Sequence, residues 1–264
     1  MNDYFAARRA QLDEYFKNVA ARTGAPKPLA DPLARALLSS GKRVRGVLTL
    51  AAGEAAGCKA DKLLEAAAAM EMIHASSLIL DDLPAMDDAL LRRGAPTLHR
   101  EFGEDLAILT SVALLNHAYG LVTRNHAALS PRQWPMQQVI KRVVDAVGFD
   151  GTIAGEAVDL HSEGSALDFD TLEFIHSRKT GALFVAAAAV GAMLGNISPA
   201  ALQRIEVTPA APRLRSISAG SSRRERKARP VARAPKCWTM KWSVVPRDGI
   251  EPPTRGFSVL CSTN

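Results

Sequence analysis

The sequence predicts an all-α fold, a bundle of long helices around a central cavity. Apolar residues recur at three- and four-residue steps, alanine is abundant while aromatic residues make up only 5% of the chain, and no run alternates convincingly as a strand. Tyr4, Phe5, Leu12, Tyr15, Phe16 and Val19 set the first helix, which a breaker at Thr23–Pro28 ends. A second helix is expected near Asp31, with Asp31 as cap, Pro32 at the first helical position and Gly41 as the stop. Residues 44–56 and 61–80 read as two alanine-rich helices parted at Gly57, and residues 104–127, 133–147 and 170–195 as later ones. The glycines at 148, 151 and 155 serve as punctuation.

Of 264 residues, 47% are hydrophobic and 23% charged, which describes a globular chain able to bury a core. The net charge of +6 is unevenly spread. Residues 207–264 hold 12 of the 33 Lys/Arg and 3 of the 27 Asp/Glu, leaving 21 basic against 24 acidic residues before them. The body is mildly acidic, and the basic stretch 213–236 lacks the interleaved aromatics of a nucleic-acid module, so nucleic acid is not expected as a partner. Cys58, Cys237 and Cys261 form no C-x-x-C pair, which argues against a disulfide framework or zinc site and for a reducing, cytoplasmic setting. The N-terminus lacks the apolar core of a signal peptide. The apolar run 182–194 is shorter than the ~20 residues a bilayer needs, so a buried core helix is expected there and no transmembrane segment.

The segment HASSLILDDLPAMDDALLRRG (74–94) carries the most chemistry. Asp81, Asp82, Asp87 and Asp88 lie within eight residues and precede Arg92 and Arg93. In a continuous helix, positions 81 and 87 stand about 120° apart. Pro84 removes that obstacle: it cannot donate to residue 80 and disfavours helix at Leu83, so the helix should end near Asp82 and the chain wrap Asp87 back toward Asp81. Carboxylates at a helix C-terminus oppose its dipole and repel each other, and a divalent cation relieves both penalties. Magnesium suits oxygen ligands and needs only one or two carboxylates beside substrate phosphates; a solvated acidic turn is the plain alternative.

Seven residues before Asp81, His74 lies about 20° away on the same face, with Ser77 one turn beneath Asp81. This polar line within an apolar helix should border a cavity, although a lone buried histidine more often is merely hydrogen-bonded. Lys42, Arg43 and Arg45 crowd a helix start after Gly41, a pattern that attracts phosphate, with a solvated charge cluster as the default.

Together these residues resemble the polyprenyl synthetase family, whose pattern joins G-K-R-x-R, a histidine seven residues before D-D-x4-D, an R-R pair and a later K-T. Here they are Gly41–Arg45, His74, Asp81–Asp87, Arg92–Arg93 and Lys179–Thr180. The similarity runs from about residue 2 to 196 and includes FGEDLAIL (102–109), GEAVDL (155–160) and FIHSRKTGALF (174–184). It implies an isoprenoid-synthase bundle and a head-to-tail condensation of isopentenyl diphosphate with an allylic diphosphate, dependent on Mg2+ with Mn2+ as a substitute, in a homodimer. Asp81 and Asp87 are then the metal ligands, Asp82 their support, and Arg92 a further charge on the leaving group. Lys42, Arg45, His74 and Arg93 bind isopentenyl diphosphate, while Lys179 and Thr180 line the allylic side, Lys179 joining the three aspartates as the catalytic set. The small Ser76 and Ser77, five and four positions before Asp81, imply a deep product pocket and geranylgeranyl ahead of farnesyl diphosphate. A non-catalytic partner subunit and a class I terpene cyclase are the alternatives.

The chain departs from this pattern in three places. SVAL (111–114) stands where many members have G-D-A-L, and Gly155–Glu156 where most have G-Q. The family's second aspartate-rich motif has no counterpart, since Asp248 is the only aspartate after Asp170. From about 197 the chain turns Arg- and Pro-rich, and disorder is expected there. VPRDGIEPPTRGFSVLCSTN (245–264) resembles the products of reading frames that run into a transfer-RNA gene. The expectation is an incomplete synthase domain over 1–196, its C-terminal helices lost to a frameshift or deletion, followed by an out-of-frame tail over 197–264.

Overall fold

A computed structural model describes residues 2–162 and 166–206. The expected disorder and out-of-frame origin of residues 207–264 fall outside the described residues, as do Cys237 and Cys261. The helices are α1 (Asn2–Arg22), α2 (Lys27–Leu37), α3 (Val44–Ala55), α4 (Leu64–Asp81), α5 (Leu98–Phe102), α6 (Glu104–Leu129), α7 (Met136–Val147), α8 (Thr152–His161), α9 (Phe169–Ile175), α10 (Ala182–Leu194) and α11 (Pro199–Ile205). A 3-10 turn, Ala60–Leu63, precedes α4, and a π-helical turn, His176–Gly181, joins α9 to α10.

Helix α4 is the axis of the bundle. Ala66 to Ile73 are buried without interruption, the pattern of a helix apolar all round and enclosed by others. Its own residues offer no side-chain cap, and the buried Asn125 of α6 fills that role. Asn125 accepts from the Ala66 amide at 3.1 Å and donates to the Lys62 carbonyl at 2.6 Å, satisfying groups that a helix start leaves orphaned. By composition Ala60–Asp81 and Glu104–Leu129 are both long and apolar enough to cross a membrane, but 61% of the first window is buried against 39% of the second. The first is a core helix, whereas α6 keeps Ile108, Leu109 and Val112 on its outer face.

Helices α3 and α10 lie backbone to backbone. A Cβ on Gly191 would stand 2.0 Å from the Thr49 carbonyl oxygen, and one on Gly195 2.8 Å from that of Gly53. These contacts advance in step along both helices, so α3 and α10 begin at the same end of the bundle. Helix α10 is the buried core helix expected of the run 182–194, with Val190, Ala192 and Met193 wholly enclosed.

Four expectations need correction. Helix α2 begins at Lys27, because Pro28 also fits a first turn that needs no amide hydrogen bond; the Ala30 amide bonds Pro26 O at 2.9 Å, and Pro32 sits inside the helix. Residues 152–161 form a helix through Gly155, since glycine weakens a helix without forbidding it. A short hairpin pairs Leu91–Arg92 with Ala95–Pro96, turning on Arg93 and Gly94 at φ of 54° and 80°, the two left-handed positions of a tight turn. The fold also continues past 196: Ser198 caps α11 by accepting from the Ala201 amide, Leu202 is buried, and Trp134 Nε1 donates to Ile197 O at 2.7 Å.

The packing of α3 on α10 gives a direct test. Gly191→Ala should destabilise the fold by about 1–3 kcal/mol, because the clash is with backbone. Gly120→Ala, where a Cβ meets nothing closer than the flexible end of Arg124 at 3.6 Å, should stabilise it by about 0.5–1 kcal/mol. Urea unfolding of both variants measures this, and equal midpoints would contradict the close approach.

Candidate active site

The turn after α4 decides where each acidic side chain goes. Pro84 stops the helix, the Asp87 amide bonds the Asp81 carbonyl at 2.9 Å, and the Ala89 amide bonds that of Asp82 at 3.1 Å. Asp88 takes a left-handed φ of 47°, which aspartate tolerates better than most residues. The chain therefore closes on itself and returns Asp87 to Asp81, as Pro84 led one to expect. Asp81 and Asp82, about 100° apart at the helix end, face different neighbours.

Asp82 turns into a cleft lined by Ser40, Arg43, His74, Asp82, Arg92 and Arg93. It is 4% exposed, and Arg92 Nε donates to both its oxygens at 2.8 Å. Asp82 and Arg92 thus neutralise each other, where the sequence assigned Asp82 to the metal side and Arg92 to a leaving group. Arg93, left-handed in the hairpin, reaches across to donate to the Ser40 carbonyl, and a Cβ on Gly41 would lie 2.7 Å from its Nη1. The G-K-R and R-R segments, some fifty residues apart in sequence, are neighbours in space.

The three cations of residues 42–45 divide. Arg43 folds inward at φ 51°, bonding Asp13 at 2.9 Å and the carbonyls of Leu37 and Ser39 at 2.8 and 3.0 Å, so it staples α1, α2 and α3 together. Lys42 is exposed. The Arg45 guanidinium lies over the Phe184 ring at 4.4 Å, and its buried Nε has no hydrogen-bond partner among the described residues. Burial brings the Arg45 pKa down to about 10, Glu71 opposing and Arg93 adding to the effect, so it stays charged at neutral pH. His74 is held well below its ordinary value by burial first and then by Arg45, Arg93, Arg92 and Arg43, and is neutral. Of these four arginines, Arg43 and Arg92 have carboxylate partners, while among the described residues Arg45 and Arg93 have none. Glu71, the nearest candidate, accepts from the Gly46 amide at 2.9 Å.

Asp81 faces the other way, toward α8 and the π turn. Its carboxyl is pushed up to about 7, first by burial and then by Glu156 and Asp87, with Lys179 opposing. Lys179 Nζ lies 2.6 Å from both Glu156 and Asp159, carboxylates three residues apart on one face of α8. Gly155 permits this approach, since a Cβ there would lie 2.2 Å from the Lys179 amide nitrogen. Thr180 is half-buried in the same turn. The roles of Glu156 and Asp159 were missed from sequence, although their i, i+3 spacing marks a shared face.

Ser76 and Ser77 part company as well. Ser76 is buried against α6, its hydroxyl 2.9 Å from that of Ser111, which in turn donates to the Ser76 carbonyl at 3.0 Å. Ser77 donates to the His74 carbonyl at 3.0 Å. Among the described residues, no three or more of His, Cys, Asp and Glu gather into a ready metal cage. The hard oxygens of Asp81 and Asp87, under mutual strain of like charge, fit the other mode: one or two carboxylates completed by substrate phosphate.

With this geometry in place, comparison with known proteins is decisive. A family model described as polyprenyl synthetase matches residues 26–208. The chain belongs to the polyprenyl synthetase family. It is 42% identical over 195 residues to a geranylgeranyl pyrophosphate synthase 11, chloroplastic, of Arabidopsis thaliana, covering 72% of this chain and 54% of that protein. A mitochondrial geranylgeranyl pyrophosphate synthase 10 of the same plant is 47% identical over 174 residues, covering 64% and 49%. The polyprenyl synthetase chain thus spans about half the length of these curated relatives. In three dimensions it is similar to the apo crystal structure of an FPP/GFPP synthase from Zymomonas mobilis, with a TM-score of 0.69, 29% identity, and 78% of this chain and 76% of that one covered. The isoprenoid-synthase type of all-α fold is therefore established.

The burial of Asp81 has a measurable consequence. Its folded pKa of about 7 against an ordinary 3.8 means the folded state keeps a proton that the unfolded chain releases between those values. That stabilisation is complete below about pH 4 and is lost as pH rises through 7. Between pH 5 and 8 the wild type should lose at most about 2 kcal/mol, solvent screening included, and Asp81→Asn should lose less. Urea unfolding in EDTA at both pH values measures it, and identical pH slopes would show Asp81 to be solvated.

Proposed function

We propose that this chain carries the substrate-binding half of a prenyltransferase that condenses isopentenyl diphosphate with an allylic diphosphate, with geranylgeranyl diphosphate favoured over farnesyl diphosphate as product. One observation carries the reading: Arg45 and Arg93, two cations without paired carboxylates among the described residues, lie near a neutral His74 on the helix that ends in the Asp81–Asp87 turn. A positive cradle and a carboxylate cluster at one helix end suit two diphosphates, one bound directly and one through a cation.

In this reading Lys42, Arg45 and Arg93 bind the isopentenyl diphosphate, and neutral His74 can donate a hydrogen bond without adding charge. Asp81 and Asp87 would hold Mg2+, with Mn2+ as a substitute, which supplies the positive charge that lets the allylic diphosphate leave. Lys179 and Thr180 stand beside them. Lys179, already held by Glu156 and Asp159, keeps its charge beside the leaving group. Asp82 fixes Arg92 and so acts as a support. As the allylic C–O bond breaks, negative charge grows on the departing oxygens, and fixed cations stabilise it without reorganisation. The isopentenyl double bond attacks the allylic cation and a proton is lost.

A homodimer is proposed from the outward apolar strip Ile108, Leu109 and Val112 on α6. Leu109→Glu should convert it to monomer by sedimentation equilibrium, and a wild type that is already monomeric would overturn this. A cytoplasmic location is proposed from the cysteine usage, and cell fractionation tests it. Because no second aspartate-rich motif follows Lys179, weak activity is proposed, and a non-catalytic subunit is the second reading.

Purified chain with Mg2+, labelled isopentenyl diphosphate and each allylic primer separates these readings. Traces of C20 product, shortened by Ser76→Phe and lost in Asp81→Ala, are expected. Cyclised product from an allylic diphosphate alone would mean a terpene cyclase. Silence combined with retained diphosphate binding would mean a subunit, and an unchanged product from Ser76→Phe would defeat the pocket assignment.

A further inference from the structure

Phe184 closes the segment FIHSRKTGALF (174–184), yet the resemblance gives it no role; it lies in the first turn of α10, just after the π turn that carries Lys179 and Thr180. Its half-buried ring underlies the Arg45 guanidinium at 4.4 Å. Enclosed arginines are ordinarily matched by carboxylates, as the buried Arg43 is by Asp13 and the half-buried Arg92 by Asp82. Among the described residues Arg45 is not, and its buried Nε has no hydrogen-bond partner. An aromatic face attracts a guanidinium while accepting none of its in-plane N–H groups. A carboxylate in the same place would both orient Arg45 and cancel its charge.

We propose that Phe184 is a positioning residue for Arg45, orienting the guanidinium without tying up its N–H groups in a carboxylate pair, for the diphosphate of the isopentenyl substrate. The inference rests on the assignment of Arg45 to that diphosphate. It also links the two halves of the site mechanically. Helices α3 and α10 start at the same end and are locked by the Gly191–Thr49 approach, so Phe184 ties Arg45 to the helix that follows Lys179 and Thr180. Displacement of the α10 start then moves the isopentenyl cradle as well.

The experiment titrates full-length chain with inorganic pyrophosphate in EDTA, by calorimetry, so that the carboxylate face contributes nothing. Phe184→Leu, which keeps apolar bulk and removes the ring quadrupole, should weaken binding by between about twofold and thirtyfold. Phe184→Tyr should restore it. In the Arg45→Gln background, Phe184→Leu should have no further effect. Circular dichroism melting of each variant checks that the fold is kept; a Phe184→Leu variant that melts early is replaced by Phe184→Met, for which the same weakening is expected. If Arg45→Gln weakens binding and Phe184→Leu does not, the positioning role is wrong while the site assignment stands. Equal losses from Phe184→Leu with and without Arg45 would show a merely structural role and overturn the inference. If neither Arg45→Gln nor Lys42→Ala alters binding, the assignment of the diphosphate site falls and takes this inference with it.

Discussion

The return of the chain after α4, closed by the Asp87 amide on the Asp81 carbonyl, governs the rest of the site because it fixes carboxylates where a helix resists them. A helix C-terminus carries partial negative charge, and each added carboxylate there costs roughly 0.3–1 kcal/mol before mutual repulsion. The protein offsets this unevenly. Asp82 receives a bidentate arginine and is settled, whereas Asp81 stays buried among Glu156, Asp87 and Lys179 with its pKa near 7. The strain is concentrated at the residue proposed to ligate a cation, and a bound cation would relieve it.

The two faces of the α4 terminus consequently differ in sign. On one, four arginines act on a histidine kept neutral, and among the described residues two of them lack a paired anion. On the other, Lys179 is outnumbered by Asp81, Asp87, Glu156 and Asp159. In the proposed reading a diphosphate alone is attracted to the first face, and the second accepts one only with a divalent cation, so that two chemically alike head groups are sorted by electrostatics without any difference in shape.

Much of this was legible in the sequence, for reasons that can be named. Pro84 after two aspartates predicted both the end of α4 and the wrap of Asp87, since proline lacks an amide donor and its ring crowds the carbonyl four residues before it. The run 182–194 predicted a core helix because nothing else of that length satisfies so apolar a segment. What was not legible depended on contacts distant in sequence. Arg43 reads like its neighbours Lys42 and Arg45, and only the position of Asp13 and the α2 carbonyls separates it as a structural arginine from the exposed Lys42 and from Arg45 over Phe184. Glu156 looked like a tolerable replacement for glutamine until Lys179 was found 2.6 Å away. Gly148 and Gly151 do break the chain, ending α7 and starting α8, whereas Gly155 lies inside α8 as a point of close approach to Lys179. Ser76 likewise turns its hydroxyl to Ser111 on α6, a contact between helices that its place in the sequence does not reveal.

Close backbone approach is the device that makes such distant contacts specific. Gly155 brings α8 onto the π turn, and Gly191 brings α10 onto α3, with no side chain between the backbones to act as a cushion. Interiors packed at this density transmit displacement instead of absorbing it. The π turn lies between these two contacts, and its wider winding lets one length of chain meet α8 through Lys179 and α3 through Phe184 within six residues. The carboxylate face and the arginine face are therefore set at a fixed separation by the same stretch of backbone. For the proposed condensation, in which the isopentenyl double bond must reach the carbon that bears the allylic diphosphate, that separation matters more than the strength of either cradle, because misplacement by about 1 Å can cost about a hundredfold in rate.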